Sequence, residues 1–261
     1  MRYIILGLIM AGLFQVFFWI TQDNRVSLIE TSFEKVESLS YSPFEGYNKK
    51  VLSPKQIVED VNMLSHFTSK LRTYSTADAK VILEATSKTD IPVDLGIWIS
   101  GDHKENHLEI QRALKLLEKY PDNIANVIVG NETLLRADLE EEELFAYIDF
   151  VAEFTNKPIT CAETWDVWER IPDLAKHVDF ITIHILPYWE KVPIDRFNDF
   201  IIEKYTLVEK LFPYTKINIG ETGWPSHGYN NNNAVPSLKN QAVAIRGFIN
   251  LASAKGWDYN I

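Results

Sequence analysis

The chain has 261 residues, 46% hydrophobic and 12% aromatic, with 36 acidic against 26 basic side chains and a formal net charge of −10. That apolar content excludes a disordered chain, and the acidic balance argues against nucleic acid as a partner. A single cysteine, Cys161, rules out an internal disulfide and a thiolate metal cluster, and the six histidines show no His-Glu-x-x-His spacing, so no metal and no other cofactor is expected.

Residues 1–22 stand apart. "YIILGLIMAGLFQVFFWI", Tyr3 to Ile20, is apolar except for Gln15 and follows Arg2. Its length is near the roughly 17–25 residues that span a bilayer. The exit "FFWITQDN" has no Ala-x-Ala, so the run reads as an uncleaved signal-anchor helix that tethers the chain to a membrane, with a cleaved signal peptide as the alternative. The first reading puts the remainder on the periplasmic or cell-surface side, and the second makes it secreted.

From residue 33 to 261 short β-type runs alternate with helical stretches. "VESLSYS" (36–42) opens the series. After a polar loop, Ile57, Val61, Leu64 and Phe67 fall at helical spacing behind the start signal Ser53-Pro54. "KLRTYS" (70–75) precedes a helix over "TADAKVILEATSK", and "PVDLGIWIS" (92–100) precedes the amphipathic "NHLEIQRALKLLEKYP". "ANVIVGNE" (125–132) leads into "EEELFAYIDFVAEF", whose acidic first turn suits a helix dipole. "KPITCAE" (157–163), "VDFITIHILPY" (178–188) and "KINIGE" (216–221) complete seven strand candidates. The final helix, "SLKNQAVAIRGFINLASAKG", runs into "WDYNI", which has the look of the opening of an eighth strand.

This alternation implies parallel strands with right-handed crossovers. No strand is followed by Gly-x-Gly-x-x-Gly, so a dinucleotide-binding sheet has no support. Polar and aromatic clusters follow the strands' C-terminal ends, where barrel enzymes carry their sites. The expectation is therefore one (β/α)8 TIM barrel, truncated at the start of strand eight.

Two acids mark strand exits: Glu132 after the fourth candidate, in "VGNE", and Glu221 after the seventh, in "GETGWPS". Strands four and seven face each other across an eight-fold barrel. Two glutamates over one mouth suit cleavage of a glycosidic bond, which needs one protonated carboxyl and one ionised.

With "YSPF" on the first strand and "LRTYS" on the second, these motifs resemble glycoside hydrolase family 17, retaining β-1,3-glucanases and glucanosyltransferases on a (β/α)8 barrel. The resemblance runs from about residue 38 to 261 and rests chiefly on "GETGWPS". It implies Glu132 as acid/base, Glu221 as nucleophile, and Asn131 as a ligand of the sugar 2-hydroxyl. It also implies that Tyr41, Arg72 and Tyr74 line the catalytic subsite, with the arginine beside the nucleophile. Tyr188, Trp189 and Trp224 would offer ring faces to sugars. "IHILPYWE" and "CAETWDVW" are closer to bacterial members than to plant ones. Glu163 either binds a sugar hydroxyl or caps the following helix, and His184 is either a core residue or a catalytic neighbour. The substrate implied is β-glucan. The rival reading is a glucan-binding or glucan-synthesis accessory protein without catalysis.

Overall fold

The structure, a computed structural model, describes residues 10–16, 35–45, 50–89 and 91–261. Most of the expected apolar helix lies outside the described residues; of it, 10–16 are helical. Among the described residues no helix is long and apolar enough to cross a membrane.

Eight strands form one parallel sheet in sequential order. They are β1 (Leu39–Ser40), β2 (Leu71–Arg72), β3 (Val93–Ile97), β4 (Ile124–Asn131), β5 (Ile159–Thr164), β6 (Ile181–His184), β7 (Ile217–Glu221) and β8 (Asp258–Tyr259). Between them run α1 (Pro54–Leu64), α2 (Thr76–Thr86), α3 (His103–Lys119), α4 (Glu141–Ala152), α5 (Trp165–Arg170), α6 (Phe197–Leu211) and α7 (Leu238–Lys255). The expected barrel topology is present. The shortfall expected at strand eight takes the form of a two-residue strand, yet that strand is joined on both sides. Asn260 N–H donates to Ile219 O at 2.8 Å, Ser40 N–H to Ile261 O at 2.9 Å, and Ile261 N–H to Ser38 O at 3.1 Å.

The local chemistry explains the elements. In α1, Ser53 and Gln56 form a reciprocal capping box with Pro54 in the first turn, as the sequence signal required. All five residues of β3 are buried, as befits a parallel strand covered by helices on one side and lumen on the other. Two details differ from the sequence reading. Phe44–Glu45 pairs antiparallel with Lys50–Val51 where a polar loop was expected. The sixth strand stops at His184 rather than Tyr188, because Pro187 has no N–H to continue the ladder and the chain turns there.

Side chains facing the lumen can be recognised because they bridge strands that are not neighbours. Arg72 on β2 reaches Gly220 on β7 and Asn131 on β4, which is only feasible through the interior. A Cβ on Gly220 would meet Thr182, Arg72 Nη1 and His184, so those three share the lumen and the missing side chain makes room for the guanidinium. Thr160 bonds Thr182 at 3.0 Å, which puts Thr160 and, by the period of two, Ala162 on the same inner face. Cys161 and Glu163 therefore point outward, beneath the helices.

Candidate active site

Glu132 owes its position to an irregular strand end. Gly130 (φ 84°) and Glu132 (φ 54°) both take left-handed backbone, and the β4–β5 register shifts between Ile128 and Asn131. A bulge of this kind re-aims a side chain, and for a glutamate the conformation costs about 1–3 kcal/mol. The strain is held by Glu132 N–H donating to Ala162 O at 2.7 Å and by the turn that follows, where Arg136 N–H donates to Glu132 O at 2.9 Å.

Glu221 ends β7, and a register shift between Ile183 and His184 brings His184 opposite it. His184, Glu132 and Glu221 each present an atom within 4.8 Å of the others. His184 Nδ1 lies 2.7 Å from Glu132 Oε1, and its Nε2 lies 3.6 Å from Glu221 Oε1. Arg72 Nη2 approaches that same Nε2 at 3.4 Å. Since guanidinium only donates, Nε2 must accept, which puts the imidazole proton on Nδ1 and makes it a donor to Glu132. This hydrogen bond is the main reason Glu132 is held below the usual glutamate range, against the opposing effect of burial.

Arg72 is 1% exposed and knits the mouth together. It donates to Gly220 O, donates to Asn131 Oδ1 at 2.7 Å, and stands 3.6 Å from Glu221 Oε1. Its Nε is buried with no acceptor among the described residues, a cost of about 1–3 kcal/mol that positioning, not stability, must justify. The donor set of two carboxylates and one imidazole is one a divalent ion accepts. A fixed guanidinium against two of its three members already fills that role with positive charge, so the residues present do not fit a metal.

Of the other residues expected here, Tyr74 bonds Ser40 Oγ at 2.9 Å with the Arg72 guanidinium 5.0 Å from its ring centre. Burial, opposed by Arg72 and reinforced by the Glu221 charge, pushes its phenol up to about 12. Tyr41 follows β1, with its hydroxyl held by Asp60 at 2.6 Å. The aromatic trio divides. Trp189 is 60% exposed and lines a cleft of 690 Å³ with Glu132, His184, Trp165, Asp166 and Glu190. Tyr188 and Trp224 are each 4% exposed, packed edge-on at 5.8 Å, so they form the wall of an aromatic cluster instead of the open stacking faces expected of them.

Glu163 also departs from the expectation of a sugar contact. It is 0% exposed, and its two oxygens accept from Leu134 N–H at 2.8 Å and Leu135 N–H at 3.3 Å. It caps the loop after Glu132, not the helix after β5. Burial, with the Glu132 charge adding to it, lifts its carboxyl to about 7 against the pull of those two N–H groups. The folded chain thus keeps a proton that the unfolded chain has lost, so stability falls as pH rises from about 4.5 through 7, by about 3 kcal/mol in all. Urea midpoints at pH 5 and pH 8 are expected to show wild type losing that much relative to Glu163→Gln; equal pH dependence in both would refute it.

His184 and Asn260 are the residues at the mouth that motif reading undervalued. Asn260, on the closing segment, donates through Nδ2 to Ser40 Oγ at 2.7 Å and to Gly220 O at 3.1 Å, and accepts from Ser38 Oγ at 2.7 Å. A histidine ending a strand beside "GETGWPS" was the available signal for the first; nothing in "WDYNI" announced the second.

Residues 38–261 match the BtgE/BtgC glycoside hydrolase domain. The chain belongs to this family. The BtgE/BtgC domain here is 28% identical over 189 residues to "Glucan 1,3-beta-glucosidase" of Schizosaccharomyces pombe, covering 65% of this chain and 59% of that protein. It is 27% identical over 222 residues to "Probable beta-glucosidase btgE" of Aspergillus flavus, covering 81% of this chain but 36% of the relative. The chain thus spans only part of the curated relatives' length. Its fold matches the family 17 β-1,3-glucanosyltransferase of Rhizomucor miehei with a TM-score of 0.78 at 25% identity, over 86% of this chain and 85% of that one. These relatives are fungal and give the leaning toward bacterial members no support.

Proposed function

We propose that this chain cleaves β-1,3-linked glucan with retention of anomeric configuration and passes the glycosyl unit to water or to a second sugar. The observation that carries this reading is the approach of the Glu132 and Glu221 carboxylate oxygens to within 4.8 Å. Retaining pairs are ~5–5.5 Å apart, whereas inverting pairs need ~6.5–9.5 Å to admit a water. The relatives' names supply the linkage.

In the first step a Glu221 oxygen bonds the anomeric carbon while the bond to the leaving oxygen breaks and takes the Glu132 proton. Glu132 accepts from His184 at Oε1, which leaves Oε2 to carry that proton. In the substrate-free chain the His184 hydrogen bond, with Arg136 and Arg72 adding to it, favours the ionised Glu132 over the opposing effect of burial, so the first step draws on the minor protonated form and the second on the major one. Glu132 is then suited to take a proton from the incoming water or hydroxyl, which displaces Glu221. Because Asn131 Oδ1 is turned to Arg72, its amide NH2 is the end left for the sugar 2-hydroxyl. Trp189 supplies the ring face for a neighbouring sugar.

Incubation with laminari-oligosaccharides, followed by proton NMR before mutarotation, is expected to show β-configured product and longer transfer products at high substrate. An initial α-anomer would overturn the retaining assignment. Binding without product would favour the accessory role at the cell envelope instead.

The apolar run Tyr3–Ile20 supports a membrane tether with the barrel outside the cytoplasm, or secretion after cleavage. Recovery of the full chain in the cytoplasmic soluble fraction would sink that placement.

A further inference from the structure

We infer that Glu163 is a positioning residue for the general acid: from behind the sheet it braces the loop that aims the Glu132 carboxyl into the cleft. This rests on the proposed glycosidase reading.

The inference starts from what the strained backbone needs. Glu132 sits in left-handed conformation at the head of the 132–137 turn, and Ala137 at its far end is left-handed too (φ 53°). Such geometry persists only if its surroundings over-determine it. On the lumen side the restraints are Ala162 O and His184, already described. On the outer side stands Glu163, one residue beyond Ala162 on the same strand, with each carboxylate oxygen taking one N–H of the turn. β5 therefore grips the turn twice, by its backbone ahead of Glu132's side chain and by a buried acid just after it. Arg136 completes the clamp by donating to Asn131 O and to Ile99 O at 3.1 Å.

A buried acid is an expensive way to fix a loop. A backbone N–H pair in this position would be satisfied by a neutral acceptor at lower desolvation cost. Once ionised, above about pH 7, the two-pronged carboxylate does what a single carbonyl does not: it fixes the successive N–H groups of Leu134 and Leu135 in one orientation, and with them the turn whose head, two residues before Leu134, is Glu132. The amide of glutamine keeps one acceptor and turns an NH2 toward the other N–H, so Glu163→Gln releases one prong with little change in volume.

The test separates aim from folding. Glycosylation of the enzyme by a laminari-oligosaccharide needs the acid, because a sugar alkoxide is a poor leaving group; a dinitrophenyl β-glucoside does not. If Glu163 acts through Glu132, Glu163→Gln lowers kcat/KM on the oligosaccharide by about 100-fold, the cost of a misplacement near 1 Å, and leaves the dinitrophenyl substrate within about threefold. If the glutamine variant does not fold, Glu163→Asp, which keeps a carboxyl and withdraws it by one methylene, takes the same comparison. Equal losses on both substrates, or no loss on either, overturn the positioning role. A wild type that turns over neither substrate overturns the glycosidase reading itself.

Discussion

Glu221→Ala is expected to lower release of reducing sugar from laminarin by about 10⁴-fold or more, and azide is expected to restore part of that turnover as an α-glycosyl azide. The stereochemistry follows from the geometry. With the nucleophile gone, a small anion enters the space it vacated and attacks a β-linked sugar from the α face. Glu132→Ala should behave oppositely. It loses about 10²–10⁴-fold on laminarin, retains formation of the α-linked ester on Glu221 from an aryl glucoside, and gives the β-glycosyl azide when azide takes water's place. The two azide products, assigned by NMR, therefore read out which glutamate does what. Identical anomers from both variants, or wild-type turnover in either, would remove the role assignment.

The second large effect is expected at Arg72. Arg72→Met keeps much of the volume but leaves Gly220 O, Asn131 Oδ1 and the Glu221 carboxylate without their shared donor inside the barrel. Breaking one side of a buried charged network costs about 3–5 kcal/mol, part of which the orphaned Nε returns. Urea unfolding should show a loss in that range or somewhat below it, and turnover should fall with it because Asn131 and His184 lose the group that fixes their orientation. Arg72→Lys restores a charge but not the fork that reaches three strands, so an intermediate result is expected. A methionine variant as stable and as active as wild type would show that the network is ornamental.

How much of this could be read from residues alone depends on which face a side chain takes. "GETGWPS" announced Glu221 because no surface acid needs a strand, a glycine and a tryptophan around it, and "VGNE" announced its partner. Arg72 was named by its motif, but its reach to three strands was not. Both readings of Glu163 missed for a physical reason: β5 is buried on both sides, so nothing in "ITCAET" tells lumen from helix-facing positions, and a carboxylate at its end looks equally ready for a sugar or for capping the next helix. Tyr188, Trp189 and Trp224 show the same ambiguity. All three are aromatic at the rim, and only packing decides that Trp189 keeps an open face while the other two are walled in. The left-handed backbone of Glu132 left no trace in composition, since the residue type there is chosen for chemistry against conformational preference.

The closing segment joins two properties that are usually independent. The carbonyl of Gly220, one residue before the proposed nucleophile, is gripped from one side by Arg72 and from the other by the Asn260 amide, which also ties Ser38 and Ser40 at the opening strand. The ring is latched rather than zipped along this edge, and the latch is fastened to the reactive centre. Breathing at the seam would reach Glu221 within one peptide unit, so conditions that loosen the last turn of the circle should dull the chemistry well before the rest of the protein comes apart.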